Sequence, residues 1–464
     1  MRAAKFVFLF LLLGFGATVE TAWTLRRQFN LGPAGCRLIR GRFNGPSFTF
    51  DSDQRRPVPA GTAVQVDNAF GGVRIVQGDP GEVHITLRKV VFLPTSEKAR
   101  PFSDRIQLSA ELSGPTLRVT TNRGSLEEEA PDVGFETHLE LSVPPATRVK
   151  VTSEHGRIDV ADVAEAEVSG SFDGMKIERV AGAAKVTAHH GDASVSTVGG
   201  PLQLVSRHGA VTIEDVQGRV TVESQHGDVS VARVGGLNIQ TSHGELRAEL
   251  VRGDLEVHSD HGRVEASQVS GRSVVQTRFQ DVRLVRLDGD ARIKTEHAGI
   301  EAEDVKGSLV ADATFGDVEL VRIGGPVEVR TDHGGLRAKE LAQGVRARVS
   351  GDEVVLEGFA GPVDIQVERG GVTLSPSGAL VAPLSASSSH GTIRLDVPAG
   401  SRFDLDASAR GGEIVADLPG LAVSQSGPSR VQGRLGGGGS LVRLSAQRGD
   451  VRLATAAAPS AAAR

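Results

Sequence analysis

Residues Leu202–Gly244 read LQLVSRHGAVTIEDVQGRVTVESQHGDVSVARVGGLNIQTSHG, and within them the pair His-Gly returns at His208, His226 and His243. Between His208 and His226 the apolar residues are Val211, Ile213, Val216, Val220 and Val222, with Gly218 at the break. Two alternating runs separated by glycine predict two short strands and two turns per step. Working outward, the same slot is filled by His155, Phe172, His190, His261, Phe279, His297, Phe315 and His333, always 17 or 18 residues apart. From Phe315 the offsets repeat as Val318, Leu320, Ile323, Val327 and Val329 around Gly325.

One step cannot bury its apolar row alone, so successive steps must stack as coils whose strands pair in parallel about 4.8 Å apart. The expected fold is therefore all-β: a right-handed parallel β-helix or β-solenoid with coils of about 18 residues, its hand following the preference of parallel crossovers. Regular coils are expected over 155–370. Irregular coils and a cap are expected over 61–154, where Phe70–Ile75 carries the pattern before an insertion from Val90 to Pro115. A second set is expected over 371–453, where His390-Gly391 and Arg448-Gly449 repeat the slot across glycine-rich connections. Residues 454–464 form a low-complexity tail, expected to be disordered. Outside the N-terminal segment no helical periodicity is sustained.

Composition narrows the function. The chain has 464 residues, a net charge of −5, 57 glycines, 17 phenylalanines, 13 histidines, one tryptophan and no tyrosine. Interspersed charges of both signs leave no footprint for nucleic acid. A single cysteine, Cys36, excludes a disulfide framework and a cysteine-cluster metal site. It follows Pro33-Ala34-Gly35, which ends like a lipidation box but stands too far from the apolar run. At residues 1–25, Arg2 and Lys5 precede an apolar run from Phe6 to about Val19, the shape of a secretory signal. No clean cleavage site follows, so a cleaved signal and an N-terminal membrane anchor both fit; residues 26–60 read as a linker. Either assignment implies export to the cell envelope, periplasm or surface.

Blocks such as Thr241–Ala248, Val234-Gly235-Gly236 and Leu139–Pro145 resemble the bacterial adhesin-like family with β-strand repeats, a domain of unknown function akin to the GIN-type head domain. The resemblance covers roughly 60–455 and rests on the repeat, not on a catalytic signature. It implies an exported β-helical protein. Here the family's usual Asn-Gly or Ser-Gly turn reads His-Gly or Phe-Asp-Gly.

Five successive coils place His190, His208, His226, His243 and His261 in one column, a ladder that imidazole–metal chemistry could use. Phe172, Phe279 and Phe315 take the same slot, which a ligand column does not tolerate and a packing column does. The favoured reading is a structural aromatic stack without metal or other cofactor. Counting from the inward Val222 and Val329, the slot is expected to face inward as well. Seven residues beyond the slot, Asp215, Arg233, Arg286, Asp304, Arg322 and Glu340 form a charged outer column of alternating sign. The tripeptides Arg252-Gly253-Asp254 and Arg448-Gly449-Asp450 arise from the repeat itself. Calcium-roll aspartates, a phosphate loop, His-Glu-x-x-His and Gly-x-Ser-x-Gly are absent from the sequence. A polysaccharide-cleaving β-helix ranks low, because no carboxylate pair stands out and sugar-stacking Tyr and Trp are scarce. The expectation is a non-enzymatic, adhesin-like module for an envelope or extracellular protein or glycan, with a membrane contact only through an uncleaved N-terminal segment. The alternative is a scaffold assembling through solenoid ends.

Overall fold

The computed structural model describes residues 42, 43 and 45–456; the leader at 1–25, Cys36 and residues 457–464 of the tail lie outside them, while Ala454 and Thr455 close the strand Val451–Thr455. The chain divides into two compact units, Met1–Ile158 and Asp159–Arg464. The fold is an all-β solenoid.

In the second unit each coil contributes one strand to each of two parallel sheets. Leu202–His208 pairs with residues 220–226 and Ala193–Val198 with residues 211–216, both displaced by 18 residues. The alternation of the sequence places one face of each strand in the core. Leu204, Val222 and Ile239 are successive neighbours in one ladder, which continues further along through Ala311, Val329 and Ala347, and all six are essentially inaccessible.

Where the step shortens to 17, strands keep their register and a corner absorbs the difference. Val216 pairs with Val234 but Arg219 with Gly236, so the missing residue is lost in the turn between them. Glycine after the slot is imposed by stacking: a Cβ at Gly227, whose φ is +127°, would lie 2.1 Å from the carbonyl oxygen of Gly209 in the preceding coil. Later steps grow by the same means. Val363 pairs with Leu384, 21 residues on, the additional residues lying outside the paired strands.

The first unit replaces regular coils with a mixed sheet. Glu82–Phe92 pairs antiparallel with both Ser47–Pro57 and Gly134–Val143, while Ala63–Phe70 pairs in parallel with Thr116–Thr121 and Arg148–His155. Two short helices, α1 (Ser96–Arg105) and α2 (Arg123–Glu129), stand in this unit, neither long enough to sustain a helical period in the sequence. Helix α1 lies within the Val90–Pro115 insertion and buries Ala99, Phe102 and Ser103, an i, i+3, i+4 face too short to stand out as a period. Arg123 of α2 is buried, donates to the carbonyl of Phe135 and to Glu127, and lies over the rings of Phe70 and Phe135 at 4.8 and 4.3 Å. Burial pushes its pKa down, against the opposing pull of Glu127.

Because Val222 is fully buried between two ladder neighbours, Val222→Asp places an unpaired carboxylate in the core. The expected cost is about 4 kcal/mol, read as early loss of amide protection in the flanking coils and a lower urea midpoint. An unchanged midpoint would refute this coil register.

Candidate functional site

The slot residues form one continuous stack in the second unit. From Phe172 through His190, His208, His226, His243, His261, Phe279, His297 and Phe315 to His333, neighbouring ring centres lie 4.5–5.4 Å apart. Their planes stay within 21° of parallel. This spacing is the strand spacing itself, so the sheet ladder imposes the stack. In the first unit Phe70 stacks on Phe43 at 5.0 Å and meets His155 at 4.9 Å.

The column faces outward, which corrects the parity argument. Phe279 and Phe315 are 43% and 45% exposed, and His190, His208, His226, His243 and His261 are all exposed. The alternation holds from Val220 through Val222 to Ser224 and then fails, because Gln225 and His226 are both exposed. The ladder shows the same break: Ser206 pairs with Ser224 and His208 with His226, the residue between them dropping out of register. The backbone turns the corner one residue before the slot, so counting across it gives the wrong face.

Beneath the column runs a second one that the sequence reading missed. Ser206, Ser224, Thr241, Ser259, Thr277, Thr295 and Thr331 are buried at the last inward position before the corner. There Thr295 Oγ1 donates to the carbonyl of Ala298 at 2.9 Å and Ser259 Oγ to that of Gly262 at 3.2 Å. These two hydroxyls satisfy corner carbonyls, whereas those of Ser206, Ser224 and Thr331 are buried without a hydrogen-bond partner. The signal was present as a Ser or Thr two residues before most slots.

The charged column occupies the opposite corner, and every member has left-handed backbone. From Asp162 through Asp215, Arg233, Arg286 and Asp304 to Arg322 and Glu340, φ lies between 52° and 59°. Arg233 grips Asp215 in a forked pair at 2.6 and 3.0 Å and also reaches Glu214. Arg179 does the same to Asp162, and Arg322 to Asp304, with a further contact to Glu303. Each arginine holds its aspartate below the usual carboxylate range, hydrogen bonding being the largest cause.

Imidazoles stacked in this way do not converge on a point. Zinc gathers its nitrogen ligands about 2.0–2.1 Å from one point, whereas the rings from His208 to His261 lie nearly parallel with their centres 4.9 Å apart. Among the described residues no group of three or more His, Cys, Asp or Glu is arranged to hold a metal ion. An open groove of about 970 Å³ lies elsewhere on the unit, lined by Pro326, Pro362, Pro383, Gln343, Arg346 and Arg443 among others.

The model of the Toastrack DUF4097 family matches residues 210–454. The chain belongs to that family. The matched region contains the column from His226 onward and the C-terminal end of the solenoid. No curated protein matches the Toastrack chain. It is similar to a crystal structure of a candidate adhesin from Bacteroides fragilis, 13% identical, covering 57% of this chain and 96% of that one, with a TM-score of 0.17. A candidate cell adhesion protein from Clostridium sporogenes is 8% identical over 88% of this chain and all of that one, with a TM-score of 0.15. A candidate adhesin from Parabacteroides distasonis is 11% identical over 76% and 98%, with a TM-score of 0.15. Among the described residues of the Toastrack chain, no helix is long and apolar enough to cross a membrane.

His190 of the column and its neighbour His189 have lowered pKa values. Desolvation is the main cause for both; His190 also feels His208 and Arg207, and His189 feels Arg207 and His190. A histidine held below its unfolded value of about 6.5 binds its proton less readily in the folded state. Stability is therefore full above that pH and falls as pH drops through it. Paired carboxylates such as Asp215, whose values are lowered, lose their contribution only below about pH 4. Urea unfolding should show lower stability at pH 5.5 than at pH 7.5, with the difference reduced in His189→Gln/His190→Phe. An identical difference in that variant would remove these two groups from the account.

Proposed function

We propose that this Toastrack chain is a non-enzymatic, exported, adhesin-like interaction protein of the cell surface or envelope, and that the aromatic column is the face it presents. The carrying observation is the outward turn of the column: ten stacked rings in successive coils leave their edges in solvent. Exposed aromatic surface in a continuous line suits a protein or glycan partner better than solvent alone.

Electrostatics supports the non-enzymatic reading. Among the described residues, Asp162, Glu178, Asp215, Asp290, Asp304, Asp406 and Asp450 have shifted pKa values, and every shift is downward. A glycosidase-type general acid requires the opposite shift. Export is supported by Arg2 and Lys5 ahead of the apolar run at Phe6.

Protease treatment of intact cells, with a permeabilised control and immunoblotting for the repeat region, tests surface display. Cleavage on intact cells is the expected result. Cleavage only after permeabilisation would overturn surface adhesion and leave an internal envelope role.

A further inference from the structure

The C-terminal end of the second unit is uneven. One sheet continues past Ser440–Arg448 through Phe403–Ala409 and Arg430–Leu435 to Leu421–Gly427. The other continues past Val451–Thr455 only to Ile414–Asp417. The first sheet therefore overhangs the second by two strands. Among the described residues neither Leu421–Gly427 nor Ile414–Asp417 has a strand on its outer side.

The overhang has an apolar inner face with nothing opposite it. Phe403 and Ala407, fully buried, pair with Leu435 and Val431. Leu435 in turn pairs with Leu421, and Gly433 with Val423. These belong to the core face by register, yet Leu421, Val431 and Leu435 are only partly covered and Val423 is 51% exposed. Leu421–Gly427 reads LAVSQSG and carries no charge. Sheet edges are ordinarily blocked by charge, proline, a bulge or a covering element, and of these Leu421–Gly427 has only a register shift between Val423 and Gln425. Ser47–Pro57, an edge strand of the first unit, carries Asp51, Asp53, Arg55, Arg56 and Pro57.

We propose that this end docks onto the same end of a second copy through a two-fold axis that sets the long sheet of each molecule against the short sheet of the other. The step is self-complementary: two surplus strands on one sheet fill the two-strand deficit opposite. Leu421–Gly427 of each copy then continues the sheet that ends at Ile414–Asp417 of its partner. The two overhangs lie face to face as the two layers of one sandwich, covering Leu421, Val423, Val431 and Leu435. Like-with-like stacking, in which long sheet meets long sheet, would leave a gap between the short sheets. The isologous arrangement closes after two molecules, so the assembly stops at a dimer. This inference does not rest on surface display, and the shaving experiment leaves it untouched.

Sedimentation of the purified full chain across a concentration series, with hydrogen exchange at each extreme, tests it. The expected result is a reversible dimer in which amides of residues 414–417 and 421–427 gain protection. Val423→Glu, at an exposed position, should weaken the dimer by at least about tenfold without shifting the unfolding midpoint measured at concentrations where the chain is monomeric. Val381→Lys, at the most exposed large apolar side chain among the described residues and outside both edge strands, should leave the dimer intact. A monomer at every concentration, a dimer indifferent to Val423→Glu, or protection confined to other strands would each overturn the proposal.

Discussion

Everything in this molecule depends on one coil lying directly upon the next at strand spacing. That contact brings the backbone at Gly227 so close to Gly209 that no side chain fits between them. It also turns each position of the repeat into a column, so a residue choice made once is made again about 4.8 Å away. Apolar columns build the core, the hydroxyl column closes one corner, and the forked Arg–Asp pairs line the other. The aromatic column is the same rule applied to a position that happens to face out.

This explains what could be read from the sequence. The solenoid, its period and the inward rows containing Val222 and Val329 follow from a repeat whose matches reinforce one another over many coils. What failed was local. The slot's orientation was inferred by counting across a corner, and alternation is a property of strands that corners do not respect. Helix α1 escaped because ten residues containing Pro101 give too few turns for a period to emerge. The left-handed column at Asp162 to Glu340 was visible as charge but not as backbone, since Arg, Leu and Thr occupy it as well as Asp.

The site was less legible than the fold for a related reason. A catalytic centre would have concentrated unusual residues in one place, whereas here the unusual residues are spread along a line. In the proposed role contact along the line is cumulative, each ring edge contributing little, while the ladder that spaces the rings also keeps them parallel. The same parallelism sets neighbouring imidazole centres 4.9 Å apart in a row rather than around a common point. Order along the column and convergence at a point are opposed geometries, and this chain is built for the first.

The corners have a consequence of another kind. The 17-residue step is absorbed at the turn after Val216 and the 21-residue step before Leu384, in both cases without disturbing any strand pairing. A deletion or insertion at a corner is therefore invisible to the columns, and gain or loss of a whole coil shifts them by one unit without mismatch. Such a scaffold separates the evolution of its length from the evolution of its surface. Descendants with more or fewer coils would inherit the same faces, longer or shorter, and could vary reach without redesigning what they touch.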